Sequence, residues 1–201
     1  MTEKQKMLAG LLYDANNDAD LIKERLVCKD KIYNYNRLRP SDLTYRKTLL
    51  IEILGKTGNQ FLIEQPFYCD YGYNITVGEN FYSNYNLVIL DEAPVTFGDN
   101  VFIAPNVGIY TASHPLDAAQ RNLGLETAYP VMIGNNVWIG AGAVVLPGVT
   151  IGDNTVIGAG SIVTKDIPAN VVAVGNPCKV IREISQRDFE YYNGDLKIDI
   201  E

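Results

Sequence analysis

Histidine is almost missing from this 201-residue chain: His114 is the only one, and Trp138 is the only tryptophan. A zinc centre held by three histidines is therefore excluded. Cysteine is sparse as well. Cys28, Cys69 and Cys178 are odd in number, far apart and in no CxxC arrangement. Neither a disulfide framework nor a zinc knuckle is expected, and a reducing cytoplasm is the natural setting. No basic segment leading into an apolar stretch opens the chain, and no apolar run approaches membrane-spanning length, so a soluble protein without a membrane partner is expected. Cations are the minority charge: 17 Lys and Arg stand against 24 Asp and Glu, a net charge of −7. That balance argues against a broad nucleic-acid surface, which needs clustered cations, though local basic clusters remain open. Against these shortages, 47% of the residues are hydrophobic, enough for a core in one domain with a small appendage.

What is abundant is a repeat. From Ile133 the chain reads in sixes: Ile133-Gly-Asn-Asn-Val-Trp138, Ile139-Gly-Ala-Gly-Ala-Val144, Val145-Leu-Pro-Gly-Val-Thr150, Ile151-Gly-Asp-Asn-Thr-Val156, Ile157-Gly-Ala-Gly-Ser-Ile162, then Val163. Slot one is always a branched aliphatic, slot two is Gly in four of these five units, and slot five is small or β-branched. A helix repeats every 3.6 residues and a strand every two. Six matches a short strand plus a sharp turn, stacked repeatedly, which is the hexapeptide pattern of a parallel β-helix. Slot one is expected inside the coil, slot five near a corner, slot six outward, and the glycine is expected to relieve the backbone at the turn. Phe97-Gly-Asp-Asn-Val-Phe102 and Ile103-Ala-Pro-Asn-Val-Gly108 obey the same template, with a looser beginning at Val77 and around Ile89. Residues 110–130 break it. That polar interval, holding Ser113-His114-Pro115, is expected to be a loop leaving the coil, where functional groups concentrate.

Residues 1–60 have another texture. Apolar residues at helical spacing over Lys4–Tyr13, Asp20–Asn36 and Ser41–Leu54 predict a small helical cap, with Ser41 as an N-cap and Gly55 as a stop. A cap is needed because the end of a repeat stack exposes apolar surface and unpaired strand edges. The coil is placed at 61–184, with its loop at 110–130. A tail follows at 185–201.

His114 is the group best suited to proton transfer near neutrality, since the ordinary imidazole pKa lies near 6.5. The competing reading is a surface histidine without a role. Carbonic anhydrases of the same coil architecture use three histidines on zinc, which this chain lacks, so no metal is expected. Trp138 falls in an outward slot and calls for a partner, either a ligand or a neighbouring subunit.

Asp70-Tyr-Gly-Tyr-Asn74, Tyr82-Ser-Asn-Tyr-Asn86, Thr111-Ala-Ser-His-Pro115, Ile133 to Gly140 and Gly175-Asn-Pro-Cys-Lys-Val-Ile-Arg182 resemble the maltose/galactoside O-acetyltransferase family, and the likeness runs from the Met7–Tyr13 segment to Arg182. That resemblance implies a left-handed coil, a homotrimer with active sites between subunits, and acetyl transfer from acetyl-CoA to a hydroxyl of a small sugar of maltose, glucose or galactoside type. It implies His114 as general base and Asn84 as the polar residue assisting the transition state. The acyl-site backbone amide falls on Ala141, where Ser is common; an N–H survives that change. Ala159 and Trp138 fall beside the pantetheine arm, and Thr164, Lys165, Lys179 and Arg182 at the phosphate end. Lys179 replaces a usual Arg, so a bidentate phosphate contact is lost there. Asp70, Glu92, Arg25 and Asn84 fall at acceptor contacts, with Glu92 replacing a usual Asp and Glu126 at a variable position. Which residue of Asp14 to Asn17 joins them stays open. Two other classes stay open too: a same-fold acetyltransferase acting on an antibiotic, a serine or a sugar amine, and a scaffold without catalysis. An ice-binding coil is disfavoured, because Thr150, Thr155 and Thr164 share no one slot.

Overall fold

The slot-one aliphatics and slot-five residues are all buried, from Ile133, Ile139, Val145, Ile151, Ile157 and Val163 to Val137, Ala143, Val149, Thr155 and Ser161. Both slots point inward, and one core results, running the length of a solenoid. In this computed structural model, which describes residues 1–192, 194 and 196–198, the chain winds as a left-handed parallel β-helix of about six turns. Three parallel faces enclose the core. One has five strands, from Phe67–Cys69 through Leu87–Leu90, Gly108–Tyr110 and Val144–Val145 to Ile162–Val163. A second five-stranded face runs from Lys56–Thr57 through Ile75–Val77, Val95–Phe97 and Val131–Ile133 to Thr150–Ile151. The third has seven strands, from Phe61–Ile63 through Phe81–Ser83, Phe102–Ile103, Trp138–Ile139, Val156–Ile157 and Val171–Val174 to the antiparallel Lys179–Glu183. The coil therefore starts earlier than the legible repeats. Its first turns are filled by Phe67, Phe81 and Phe97, with the last two in edge contact at 5.0 Å, and aromatic filling replaces the aliphatic signature there.

The slot-two glycines have a different cause from the one expected. A Cβ on Gly134 would lie 2.2 Å from Asp153 Oδ1 and 2.8 Å from Asp153 N; on Gly140 it would lie 2.5 Å from Ala159 N. Close approach of successive coils excludes a side chain there. The left-handed corner falls at slot four instead, on Asn136 (φ 55°), Gly142 (69°), Gly148 (80°), Asn154 (54°) and Gly160 (69°). Asparagine tolerates that conformation, and the corner amides bond coil to coil: Asn80 to Asn100, Asn100 to Asn136, Asn136 to Asn154 and Asn154 to Asn170, at 2.9–3.1 Å.

The cap is helical, as its spacing predicts: α1 (Glu3–Leu8), α2 (Ala19–Asn36) and α3 (Leu43–Ile53). Cys28, Ile32, Tyr35, Leu49, Leu50 and Ile53 close the open end of the coil in one continuous core. The N-cap of α3 is Asp42, which accepts from Tyr45 N at 3.2 Å, and not Ser41. Gly55 ends the helix without a left-handed turn; a Cβ there would meet Tyr73 O at 2.1 Å. Two short helices follow: α4 (Ala118–Asn122) lies in the 110–130 excursion and α5 (Gln186–Glu190) in the tail. Part of the tail, residues 193, 195 and 199–201, lies outside the described residues.

Candidate active site

The excursion is a built structure. Ala112–Ser113 pairs antiparallel with Leu125–Ala128, and the cap strand Tyr13–Asp14 pairs with the other edge, Tyr13 against Glu126. Tyr13, almost wholly buried, donates its hydroxyl to Glu126 Oε2 at 2.8 Å. At the root, Thr111 Oγ1 donates to Leu90 O (2.8 Å) and accepts from Ala93 N (3.0 Å). The single histidine is thus carried on a loop clamped from both sides.

His114 Nδ1 lies 3.1 Å from Leu125 O. A carbonyl only accepts, so Nδ1 holds the hydrogen and Nε2 keeps its lone pair. That is the tautomer a general base needs. The imidazole borders a cleft of about 410 Å³, and the structure brings Arg25, Asp70, Glu92 and Glu126 to the same cleft. Within the open Asp14–Asn17 stretch the cleft residue is Asn16; Asp14 spends its carboxylate on Asn16 N, Asn17 N and Asn17 Nδ2. Lys29 joins them unforeseen and pairs with Asp70 Oδ1 at 3.4 Å. It follows Arg25 by four residues on α2, so helical spacing alone puts both cations on one face.

The electrostatics of the cleft are set by burial. Glu92, 3% exposed, is pushed well above the carboxylate range, first by desolvation and then by its hydrogen bond to Asp70 and that group's charge. Burial and the neighbouring carboxylate thus favour its neutral, hydrogen-bonding form. Beneath it Asp91 is buried outright; burial pushes it up to about 6, while the N–H groups of Tyr71 (2.8 Å) and Asp70 (3.0 Å), both donating to Oδ1, oppose the rise. Asp91 thereby anchors the turn that presents Asp70. Arg25 donates to Ala15 O at 2.6 Å and approaches Tyr71 OH at 3.4 Å, which fixes its guanidinium.

Asn84 is not in this cleft. It sits on the corner before Leu87–Leu90, whereas Glu92 and His114 sit on the corner beyond that face, roughly 13 Å away for four extended residues at about 3.3 Å each. Its Oδ1 accepts from Tyr85 N at 2.8 Å, and its backbone N–H bonds to Ile103 O. Ala141 and Ala159, both exposed, stack along the Asn84 edge, Gly160 N bonding to Ala141 O at 2.8 Å. Trp138 is 55% exposed and lies in outward register with Phe102 below and Val156 above; Val156 aligns with Val172, and Val172 with Arg182. Thr164 and Lys165, both exposed, lie on the far edge, the one that carries His114. Lys179 is exposed, but the Arg182 fork is occupied: it donates to both Asp188 oxygens at 2.7 Å, which holds Asp188 well below its ordinary range. Among the described residues no three His, Cys, Asp or Glu side chains are placed to hold a metal, and no helix is long and apolar enough to cross a membrane.

The maltose acetyltransferase hexapeptide capping motif matches residues 6–58, and the bacterial transferase hexapeptide (six repeats) matches 130–165. The galactoside O-acetyltransferase of Escherichia coli is 48% identical over 199 residues, covering 99% of this chain and 98% of that protein. The chain belongs to the maltose/galactoside O-acetyltransferase family of hexapeptide acetyltransferases. Among solved structures, a maltose O-acetyltransferase from Clostridium difficile 630 has a TM-score of 0.90 at 55% identity, covering 92% of this chain and 98% of its own. A galactoside acetyltransferase in complex with coenzyme A has a TM-score of 0.96 at 48% identity, covering both chains completely. The family's acetyltransferase activity is thereby this chain's broad class.

Proposed function

We propose that this acetyltransferase moves an acetyl group from acetyl-CoA to a hydroxyl of a small sugar. One observation carries the reading: the His114 imidazole, fixed as the Nδ1–H tautomer by Leu125 O, borders a polar cleft with Arg25, Lys29, Asp70, Glu92 and Glu126. Such a dense set of donors and acceptors suits a polyol, each of whose hydroxyls both gives and takes a hydrogen bond. Nε2 takes the proton of one acceptor hydroxyl as its oxygen attacks the thioester carbonyl. The oxyanion forms at the exposed Ala141 N–H, which bonds to nothing among the described residues, with Asn84 nearby on the same edge. Collapse releases the CoA thiolate, which recovers the proton from the imidazolium.

The two halves of this machinery lie on opposite edges of one face, which favours a homotrimer whose sites take His114 and Lys165 from one copy and Asn84, Ala141, Ala159 and Trp138 from its neighbour. The pantetheine arm would lie along the Asn84 edge. Its phosphates would meet Thr164, Lys165, Lys179 and Arg182, with Arg182 exchanging Asp188 for phosphate. A cytoplasmic setting accords with three reduced cysteines.

Release of CoA thiol, measured over maltose, glucose, galactosides, serine, an amino sugar and an aminoglycoside, tests the acceptor class. Highest kcat/KM for a neutral sugar is expected. Preference for the amine of an amino sugar or antibiotic would move the protein to the same-fold N-acetyltransferases, and failure to bind CoA would leave a scaffold.

A further inference from the structure

Two thiols stand outside the chemistry above. Cys28 lies on α2 and Cys69 ends the strand Phe67–Cys69; their sulfurs are 3.7 Å apart, and the residues are 4% and 5% exposed. Their contact is the main reason, with burial second, that Cys69 is pushed up and stays a thiol at rest. Cys28 forms part of the wall of a cavity of about 570 Å³ bounded by α1, α2 and Tyr71–Tyr73. Cys69 forms part of the wall of a separate groove of about 370 Å³ between α2 and the outer side of Tyr68 and Val88. Each cysteine thus borders a different cavity, although little of either residue is on the open surface. The next residue after each cysteine, Lys29 and Asp70, forms the ion pair of the candidate acceptor cleft. Cys178 lies at the other end of the coil.

We propose that Cys28 and Cys69 form an oxidisable dithiol, closed to a disulfide by a peroxide, that staples the helical cap to the coil beside the acceptor cleft. In the first step one thiol sulfur attacks the peroxide; an S–O bond forms, the O–O bond breaks, and a sulfenic acid and one water result. The second sulfur then attacks that sulfur and displaces the hydroxyl, which leaves with the second thiol's proton as another water. Two thiols and one hydrogen peroxide give one disulfide and two waters, with the sulfurs oxidised and the peroxide reduced. Closure asks for about 1.7 Å of approach from the present separation. Side-chain rotation and a small shift of α2 supply it. That shift moves Lys29 against Asp70, so the oxidised form holds the acceptor differently, a consequence that rests on the sugar-acceptor reading.

The test treats the folded Cys178→Ser protein with hydrogen peroxide and follows free thiols, intact mass, peptide map and melting temperature. Loss of both thiols, a mass lower by about 2 Da per chain, a Cys28–Cys69 linked peptide, reversal by dithiothreitol and a rise in Tm of about 5 °C or more are expected. Additions of one or two oxygens without a link, a disulfide between chains, or thiols that react only after unfolding would each overturn the proposal. Acceptor KM is expected to rise about threefold or more with CoA affinity unchanged; a disulfide that leaves KM unaltered would overturn the coupling to the cleft. A disulfide in a protein that acetylates no sugar would sink the acceptor reading and leave the dithiol standing.

Discussion

A single imidazole makes the residue scale unusually clean to interrogate. His114→Ala is expected to lower kcat by roughly 10²–10⁴ with CoA affinity nearly unchanged, because in the proposed mechanism the ring acts on the acceptor proton and no second histidine replaces it. Steady-state kinetics beside equilibrium CoA binding checks this; retention of more than about a tenth of kcat would remove His114 as the base. Glu92 offers a contrary-looking expectation. A carboxyl held protonated by burial and by Asp70 is mimicked by an amide, so Glu92→Gln is expected to change acceptor KM by less than about threefold at neutral pH. The sign follows from the raised pKa: the neutral form persists through neutrality, and alkaline conditions ionise Glu92 against Asp70. Acceptor KM should therefore rise on the alkaline side in the parent and stay flat in the glutamine variant. An acceptor KM that collapses at neutral pH in Glu92→Gln would show that a charged carboxylate is what the sugar meets. Both residues were legible in the sequence, His114 from its loop and Glu92 from resemblance, but the protonation state was not. It depends on burial and on a neighbour 22 positions away.

At the scale of the coil, two glycines in one hexapeptide family separate two causes. Gly134→Ala places a methyl against Asp153 and is expected to cost roughly 1–3 kcal/mol. Gly142 has φ +69° and nothing within 4 Å of a Cβ, and Asn holds the equivalent corner at 136 and 154. Gly142→Asn is therefore expected to cost less than about 1 kcal/mol. Urea midpoints of the two variants decide it; equal losses would return the slot-two glycine to a turn role. The repeat itself exposed the coil from Phe97 onward, since a strict period repeats only where each turn has the same shape. Its first turns read only as a looser pattern, because beside the cap Phe67 and Phe81 take the buried positions that aliphatics hold later.

For the whole molecule the separation of Asn84 from His114 becomes an assembly prediction. Sedimentation equilibrium should give a trimer. Mixing His114→Ala with Asn84→Ala chains after partial dissociation should restore activity, because about one site in four then draws both intact residues from different copies. No recovery from two inactive variants that still co-assemble would place both groups in one chain's site.

The sequence alone determined the solenoid, the helical cap, the loop that carries His114, and the residue types at the candidate acceptor cleft. The first three follow from local periodicity and its interruption, whereas the cleft residues came only from resemblance to a family. Only the tertiary structure decided that Lys29 and Asn16 share the cleft with His114, that Asp188 occupies the Arg182 fork, that Cys28 meets Cys69, and that Asn84 stands across a face from the base. Each of these is a contact between distant segments. Its geometry is fixed by how the cap docks and how many residues each corner holds, neither of which has a period to read.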